Sequence, residues 1–208
     1  MDKKLIAAKS MIPATLLAGG IVLFEMGVSN EGLRQALRAT ARVSLPLFAL
    51  VYLASPLHRL WPSDFSRWIL RHRATLGVCF GLSISVHIVL ILSLFIHDFG
   101  TIPAGITDAD FLIGLPGLVL VAAMVVTSAQ TIRRAMPARV WAALHRTGLH
   151  LVWFIYTACL IDSFSHKSPP YPAWHYVPLI ALLLGMAGVR LAAWRGPWTL
   201  RGVKGDVA

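Results

Sequence analysis

Six apolar segments of about the length a helix needs to cross the ~30 Å hydrocarbon core of a bilayer dominate this chain. They cover residues 11–28, 43–57, 75–96, 111–128, 140–161 and 175–193. In lipid every backbone N–H and C=O must be satisfied inside the segment, so runs of this kind become helices. The expected fold class is therefore an all-α integral membrane protein, a six-transmembrane-helix bundle. Composition points the same way: 57% of the 208 residues are hydrophobic and 13% charged, and mean hydropathy is +0.69, too apolar for a soluble domain of this length. Six spans use most of the chain, so one domain over 1–208 is expected, with a short N-terminus over about 1–10 and a tail over about 194–208.

The formal net charge of +10 invites a nucleic-acid reading. The basic residues, however, stand at the ends of apolar segments rather than on one soluble face, so no nucleic acid is expected and anionic lipids are the simpler partner. Lys and Arg placement orients the bundle, because short basic loops stay in the cytoplasm. Arg59, Arg67, Arg71 and Arg73 follow the second segment, Arg133, Arg134 and Arg139 the fourth, and Arg190, Arg195, Arg201 and Lys204 gather at the C-terminal end. The stretch 97–110 instead carries Asp98, Asp108 and Asp110, and 162–174 only Lys167 as a base. Both termini are expected in the cytoplasm, in what is expected to be a bacterial inner membrane. Arg34, Arg38 and Arg42 dissent; they mark either an interfacial amphipathic helix capped at Ser29 or Asn30, or an extension of the second span with snorkelling arginines.

Lys3, Lys4 and Lys9 ahead of an apolar run imitate a secretory signal, but no A-x-A-like site follows and a retained first span is expected. Cys79 and Cys159, 80 positions apart with no metal-ligand spacing, are expected to be buried packing residues. Trp61, Trp68, Trp141, Trp153 and Trp174 fall near segment ends, as an interfacial belt does. No GxSxG, GxGxxG after a strand, HExxH or P-loop is present, so active sites of the soluble type are not expected.

Ionisable side chains at mid-bilayer cost about 2.5–3.5 kcal/mol on insertion scales and need a reason. His87 lies near the middle of the third segment, and His145 and His150 in the first half of the fifth. A neutral imidazole satisfied by a hydroxyl or a carbonyl is the bland explanation. Axial ligation of haem b is favoured over it for His87 and His145, since a neutral imidazole nitrogen is a good iron ligand and an apolar bundle can wrap a porphyrin. Arg146 beside His145 could meet a haem propionate. His150 is turned about 140° from His145 and raised about 7.5 Å, so one haem does not easily use both. His58 and His72 fall in basic loops and His97, His166 and His175 at the outer boundary, where solvated or interfacial roles are expected. Glu25 is taken as a snorkelling carboxylate near the outer end of the first span. A small transporter is the weakest alternative, with only Gly114, Pro116 and Gly117 hinting at a broken helix.

SPLHRLWP after the second segment, RHRATLG opening the third with His87 beyond it, and VTSAQTIRRAMPARVWAALHR joining the fourth to the fifth carry a resemblance. In order and spacing they resemble the ferric reductase-like transmembrane domain family, and within it the MsrQ-like haem-binding membrane subunits. The resemblance implies a six-helix b-type cytochrome carrying electrons across the membrane. The family histidine of the third span falls on His87, and that of its W-x-x-x-H-R element on His145. A second histidine of the fifth span is replaced by Ala158, and the inner position of the third span is Arg73. From Arg73 to His87 the helix rises about 21 Å on nearly one face, which suits two stacked sites. His145 would serve an inner haem opposite Arg73 or His72, and His87 an outer one, with His150 as a possible substitute ligand.

Haem b is expected in one or two copies, or in none if Ala158 marks a lost site. The donor would be a separate flavoprotein reductase or the quinone pool and the acceptor an outer-side redox partner; a bound quinone or flavin is open but rests on no motif. The alternative is a haem-free bundle acting as a membrane scaffold or partner-binding subunit.

Overall fold

The computed structural model describes residues 3–97, 108–165 and 172–195, and among these every regular element is helical. In chain order they are α1 (Lys3–Met26), α2 (Asn30–Leu60), α3 (Asp64–His97), α4 (Asp108–Val126), α5 (Gln130–Ala135), α6 (Ala138–Ser165) and α7 (Val177–Arg195), with a single 3-10 turn at Ala173–His175 before α7. Four of them, α2, α3, α6 and α7, are long and apolar enough to cross a membrane; α1 and α4 carry shorter apolar stretches, Ile12–Met26 and Pro116–Val126.

Local chemistry explains the α1–α2 corner. Gly27 adopts φ +72°, a left-handed value that glycine takes without a Cβ clash, and its N–H closes the last turn of α1 on the Leu23 carbonyl at 2.9 Å. Two residues later the Ser29 hydroxyl accepts the Gly32 N–H at 3.1 Å, satisfying one of the orphan donors at a helix start. Glu31 in the first turn suits the helix dipole and bonds Gln35 at 2.9 Å and Arg38 at 3.4 Å.

From there α2 runs unbroken for 31 residues, about 46 Å, so the segment bearing Arg34, Arg38 and Arg42 is an extension of the second span and not a separate interfacial helix. Likewise α3 begins at Asp64. His58 and His72, expected in loops, therefore belong to the last turn of α2 and the third turn of α3. His58 Nδ1 meets Ser66 Oγ at 3.1 Å, and His72 Nδ1–H donates to the Trp68 carbonyl at 2.9 Å.

The central helix is α2, which packs against α1, α3 and α7, while α4 packs on α3 and α6, and α6 on α7. Small residues let these backbones approach, as they must where lipid supplies no hydrophobic drive between helices. Gly19 of α1 faces the Thr40 methyl, Gly81 of α3 faces Val125, Gly117 of α4 faces Ile155, and Gly148 of α6 faces Met124. Thr15 of α1 bonds Ser83 of α3, with both side chains buried. The main core joins Leu45, Leu47, Phe48 and Tyr52 of α2 with Ile69, Leu76, Cys79 and Phe80 of α3, Val121 and Met124 of α4, Val152 of α6, and Leu183 and Met186 of α7.

Two packing expectations need correction. Cys159 is exposed, unlike buried Cys79. Trp68 and Trp153 are not belt residues: Trp68 is buried in the core, and Trp153 packs against it, donating its Nε1–H to the Leu183 carbonyl at 2.9 Å. Trp61 and Trp174 are exposed. Asp98, His166 and Lys167, the tail residues Arg201 and Lys204, the side chains of Lys3, Lys4, Lys9, His97, Asp108 and Asp110, and the surroundings of Gly114 lie outside what the structure describes.

Candidate haem-ligating histidines

His87 projects from α3 against α2. Its Nδ1 lies 3.1 Å from the Leu37 carbonyl oxygen and 3.1 Å from Thr40 Oγ1. A carbonyl only accepts, so Nδ1 carries the proton and Nε2 keeps its lone pair. The Thr40 hydroxyl donates to the Ala36 and Leu37 carbonyls at 2.9 and 3.0 Å. Its oxygen therefore shares the His87 N–H as a second acceptor. Nε2 makes no hydrogen bond to a described residue. A histidine whose second nitrogen is tied to a carbonyl is the usual arrangement behind a metal ligand, since it sets both tautomer and ring orientation.

His145 stands at the other end of the bundle, at the start of the third turn of α6. Its ring stacks on Trp141 at 4.2 Å between centroids, and Nε2 meets Thr127 Oγ1 of the α4–α5 junction at 3.2 Å. The Thr127 hydroxyl proton is committed to the Ala123 carbonyl at 2.7 Å, so Nε2–H donates and Nδ1 holds the lone pair. Trp141 is held in turn by its Nε1–H on the Thr127 carbonyl at 3.2 Å and by the Arg133 guanidinium 4.7 Å over its ring. The charges of Arg133 and Arg73 both reach His145. Arg73, exposed on α3, thus shares the His145 end of the bundle.

His150 belongs to neither group. Its Nδ1 approaches the Tyr52 hydroxyl at 3.5 Å, with the rings edge to face at 5.8 Å. Across Tyr52 lies Arg190 of α7, its guanidinium 4.5 Å over the phenol ring and its Nη1–H donating to the Tyr52 carbonyl at 3.0 Å.

Pairings between α2 and α6 set the relative depths. Tyr52 meets His150 and Ser44 meets Tyr156, the latter by a 2.8 Å hydroxyl bond, so the two helices run antiparallel in that register. Thr40, one turn beyond Ser44, comes level with the part of α6 just past Tyr156, within about a turn of Ala158. His87 bonds Thr40 and is therefore about 20 Å in depth from His145. The structure brings His150 to Tyr52 and leaves Arg73 close enough for its charge to act on His145; it does not bring His87, His145 and His150 together. At about the level of His87, α6 carries Ala158 and no imidazole; its histidines, His145 and His150, lie nearer its start.

Between the two depths the bundle is filled by rings. Phe48 touches Tyr52, Phe80 and Tyr156, each at 5.4 Å between centroids, and Tyr52 stacks on Trp153 at 6.4 Å. Among the described residues no group of three His, Cys, Asp or Glu side chains converges as a metal cluster.

Thr40, Thr127, Tyr52 and Arg190 went unrecognised as site residues in the sequence. Thr40 had a weak signal, since it shares a side of its helix with Leu33 and Leu37. Arg190 was counted with the basic tail, although a charge within an apolar segment is itself a sign of function.

The sequence model of the ferric reductase like transmembrane component family matches residues 40–159, a range that contains Thr40, Arg73, His87, Thr127 and His145. No curated protein and no solved structure matches the chain. With more than half of its length matched and four apolar helices able to cross a bilayer, this integral membrane protein belongs to the ferric reductase-like transmembrane component family, whose domains serve membrane electron transfer.

Proposed function

We propose that the chain is a haem-b electron-transfer subunit, a six-span bundle that carries electrons between a cytoplasmic flavoprotein or quinol and an acceptor on the outer side. The observation that carries this reading is the His87 arrangement: Nδ1–H tied to the Leu37 carbonyl and Thr40, Nε2 left with its lone pair in an apolar bundle. The residues present fit the group. When bound, haem b supplies a one-electron iron couple.

The chain's own residues do the rest. Leu37 and Thr40 hold the imidazole of His87 against rotation and keep the proton off Nε2. His145 is oriented by Trp141 and Thr127, with Nδ1 free; use of Nε2 as a ligand would replace the Thr127 bond. Arg73 and Arg133 place positive charge around His145, which favours carboxylates such as haem propionates. The packed rings of Phe48, Tyr52, Phe80, Tyr156 and Trp153 exclude water between the two depths. Arg59 at the end of α2, Arg139 and Arg146 early in α6 and Arg190 and Arg195 late in α7 favour the cytoplasm for that end of the bundle by the positive-inside rule, against Arg34, Arg38 and Arg42 toward the other end of α2.

A reduced-minus-oxidised spectrum of the detergent-purified protein, with a pyridine haemochrome assay for haem per chain, tests this. A b-type difference band lost in His87→Ala or His145→Ala supports the reading. Ala158 favours the second reading, a haem-free scaffold or partner-binding bundle. Protein without a reducible Soret band after haem supplementation would select it.

A further inference from the structure

Arg146 and His150 are four residues apart on α6, and Arg190 reaches them from α7. The charge of Arg146 acts on both His150 and Arg190, and that of Arg190 on His150. Among the described residues neither Arg146 nor Arg190 has a counter-ion; Arg38 pairs with Glu31 and Arg67 with Asp64, both elsewhere. Arg190 spends one N–H on the Tyr52 carbonyl and lies over its ring. Arg146 and His150 are exposed on the outer surface of the bundle.

The same side of α6 then turns apolar. Phe154 follows His150 by four residues and Ile161 follows Phe154 by seven, and they are 50% and 46% exposed; such spacing keeps all four positions on one side of a helix. On α7, Leu184 and Leu191 are also exposed. Arg190 lies five residues from the end of α7 and Arg146 eight from the start of α6, about 7.5 and 12 Å of helix. With those helix ends at the cytoplasmic headgroups, as in the proposed orientation, that depth is where phosphates and glycerol esters meet the hydrocarbon core.

We infer that Arg146, His150 and Arg190 form a seat for the phosphate of an anionic phospholipid, whose acyl chains lie along Phe154 and Ile161. Two guanidinium groups and an imidazole match a phosphate that the protein itself does not supply, since an uncompensated charge at this depth needs an anion. The apolar stripe running from the seat toward mid-membrane matches the tails. A headgroup there stabilises the α2–α6–α7 corner by neutralising the repulsion between Arg146 and Arg190. The inference uses neither His87 nor His145, and it assigns to a phospholipid the Arg146 and His150 that the sequence alone offers to a haem.

Native mass spectrometry of the detergent-purified chain, titrated with phosphatidylglycerol, with phosphatidylcholine of the same acyl chains and with inorganic phosphate, tests it. Phosphatidylglycerol is expected to bind at least tenfold more tightly than phosphatidylcholine. Each of Arg146→Gln and Arg190→Gln is expected to weaken it about fivefold, the equivalent of about 1 kcal/mol per arginine near the surface. Arg139→Gln, the same charge change at the start of α6, is expected to leave the affinity within about twofold. Equal affinity for the two lipids, an Arg146→Gln affinity equal to wild type, or competition by inorganic phosphate alone as strong as by the lipid would overturn the assignment. Arg146 is exposed, so its variant keeps the test decisive even where Arg190→Gln disturbs packing around Tyr52.

Discussion

Thr40→Val isolates the hydroxyl that steadies His87. Valine keeps the methyl that packs 3.1 Å from the Cβ position of Gly19 and removes only Oγ1, so the α1–α2 contact survives. What is lost is the Nδ1 contact at 3.1 Å, while the Leu37 carbonyl, also at 3.1 Å, still accepts the same N–H. Interhelical side-chain hydrogen bonds in membrane proteins average about 0.6 kcal/mol and reach about 1.7. At 1.4 kcal/mol per tenfold, this corresponds to a roughly threefold to twentyfold loss of haem affinity. Loss of an entire outer-shell partner typically costs about 10–100-fold, and the retained carbonyl keeps Thr40→Val toward the lower end.

The assay is haem per chain against added haem, by pyridine haemochrome, for wild type, Thr40→Val, Thr40→Ser and His87→Ala. Serine is expected to restore most of the affinity, and His87→Ala to remove the His87 share altogether. Thr40→Val in the His87→Ala background is expected to change haem content no further. Wild-type affinity in Thr40→Val together with a haem spectrum unaltered by His87→Ala would refute the reasoning, because the bond would then serve packing alone.

Three other substitutions probe the bundle. Gly81→Ala drives a methyl into Val125, and because Val125 is branched at Cβ it cannot swing clear; a loss of about 1–3 kcal/mol is expected, visible as a lower Tm, and an unchanged Tm would refute the α3–α4 contact. Tyr156→Phe removes the 2.8 Å bond to Ser44 while keeping the stack on Phe48, so a cost of about 0.6 kcal/mol is expected in the same melting assay; a loss several times larger would mean that the hydroxyl holds more than Ser44. Ala158→His places an imidazole within about a turn of the His87 level, and is expected to raise haem per chain and sharpen the reduced difference band; haem content equal to wild type would show that the α6 side of that level is closed to a cofactor.

Membrane insertion was legible from the sequence because hydrophobic length is a local property: 20 apolar residues satisfy their backbone only as a helix, wherever they pack. His87, His145 and His150 stood out for an equally local reason, as ionisable groups in apolar runs. Helix ends were less legible. The run Arg34–Arg42 reads as helical from the sequence but fits either an interfacial helix or an extension of the second span, and Arg67–Arg73 reads as loop; both are parts of long helices, since arginine is a good helix former and its stem can snorkel. Cys159 and Trp153 show the same limit, because an apolar run does not reveal which side meets protein and which meets lipid.

The sequence by itself determined an apolar helical bundle with three intramembrane histidines and a family motif around two of them. Only the tertiary structure decided their partners. His87 meets Leu37 and Thr40 from 50 and 47 positions away, and His150 meets Tyr52 from 98. Such meetings depend on which faces of α2, α3 and α6 turn together. That choice is made by close approaches at Gly19, Gly81, Gly117 and Gly148 and by buried hydroxyl bonds, and neither leaves a periodic trace in the chain.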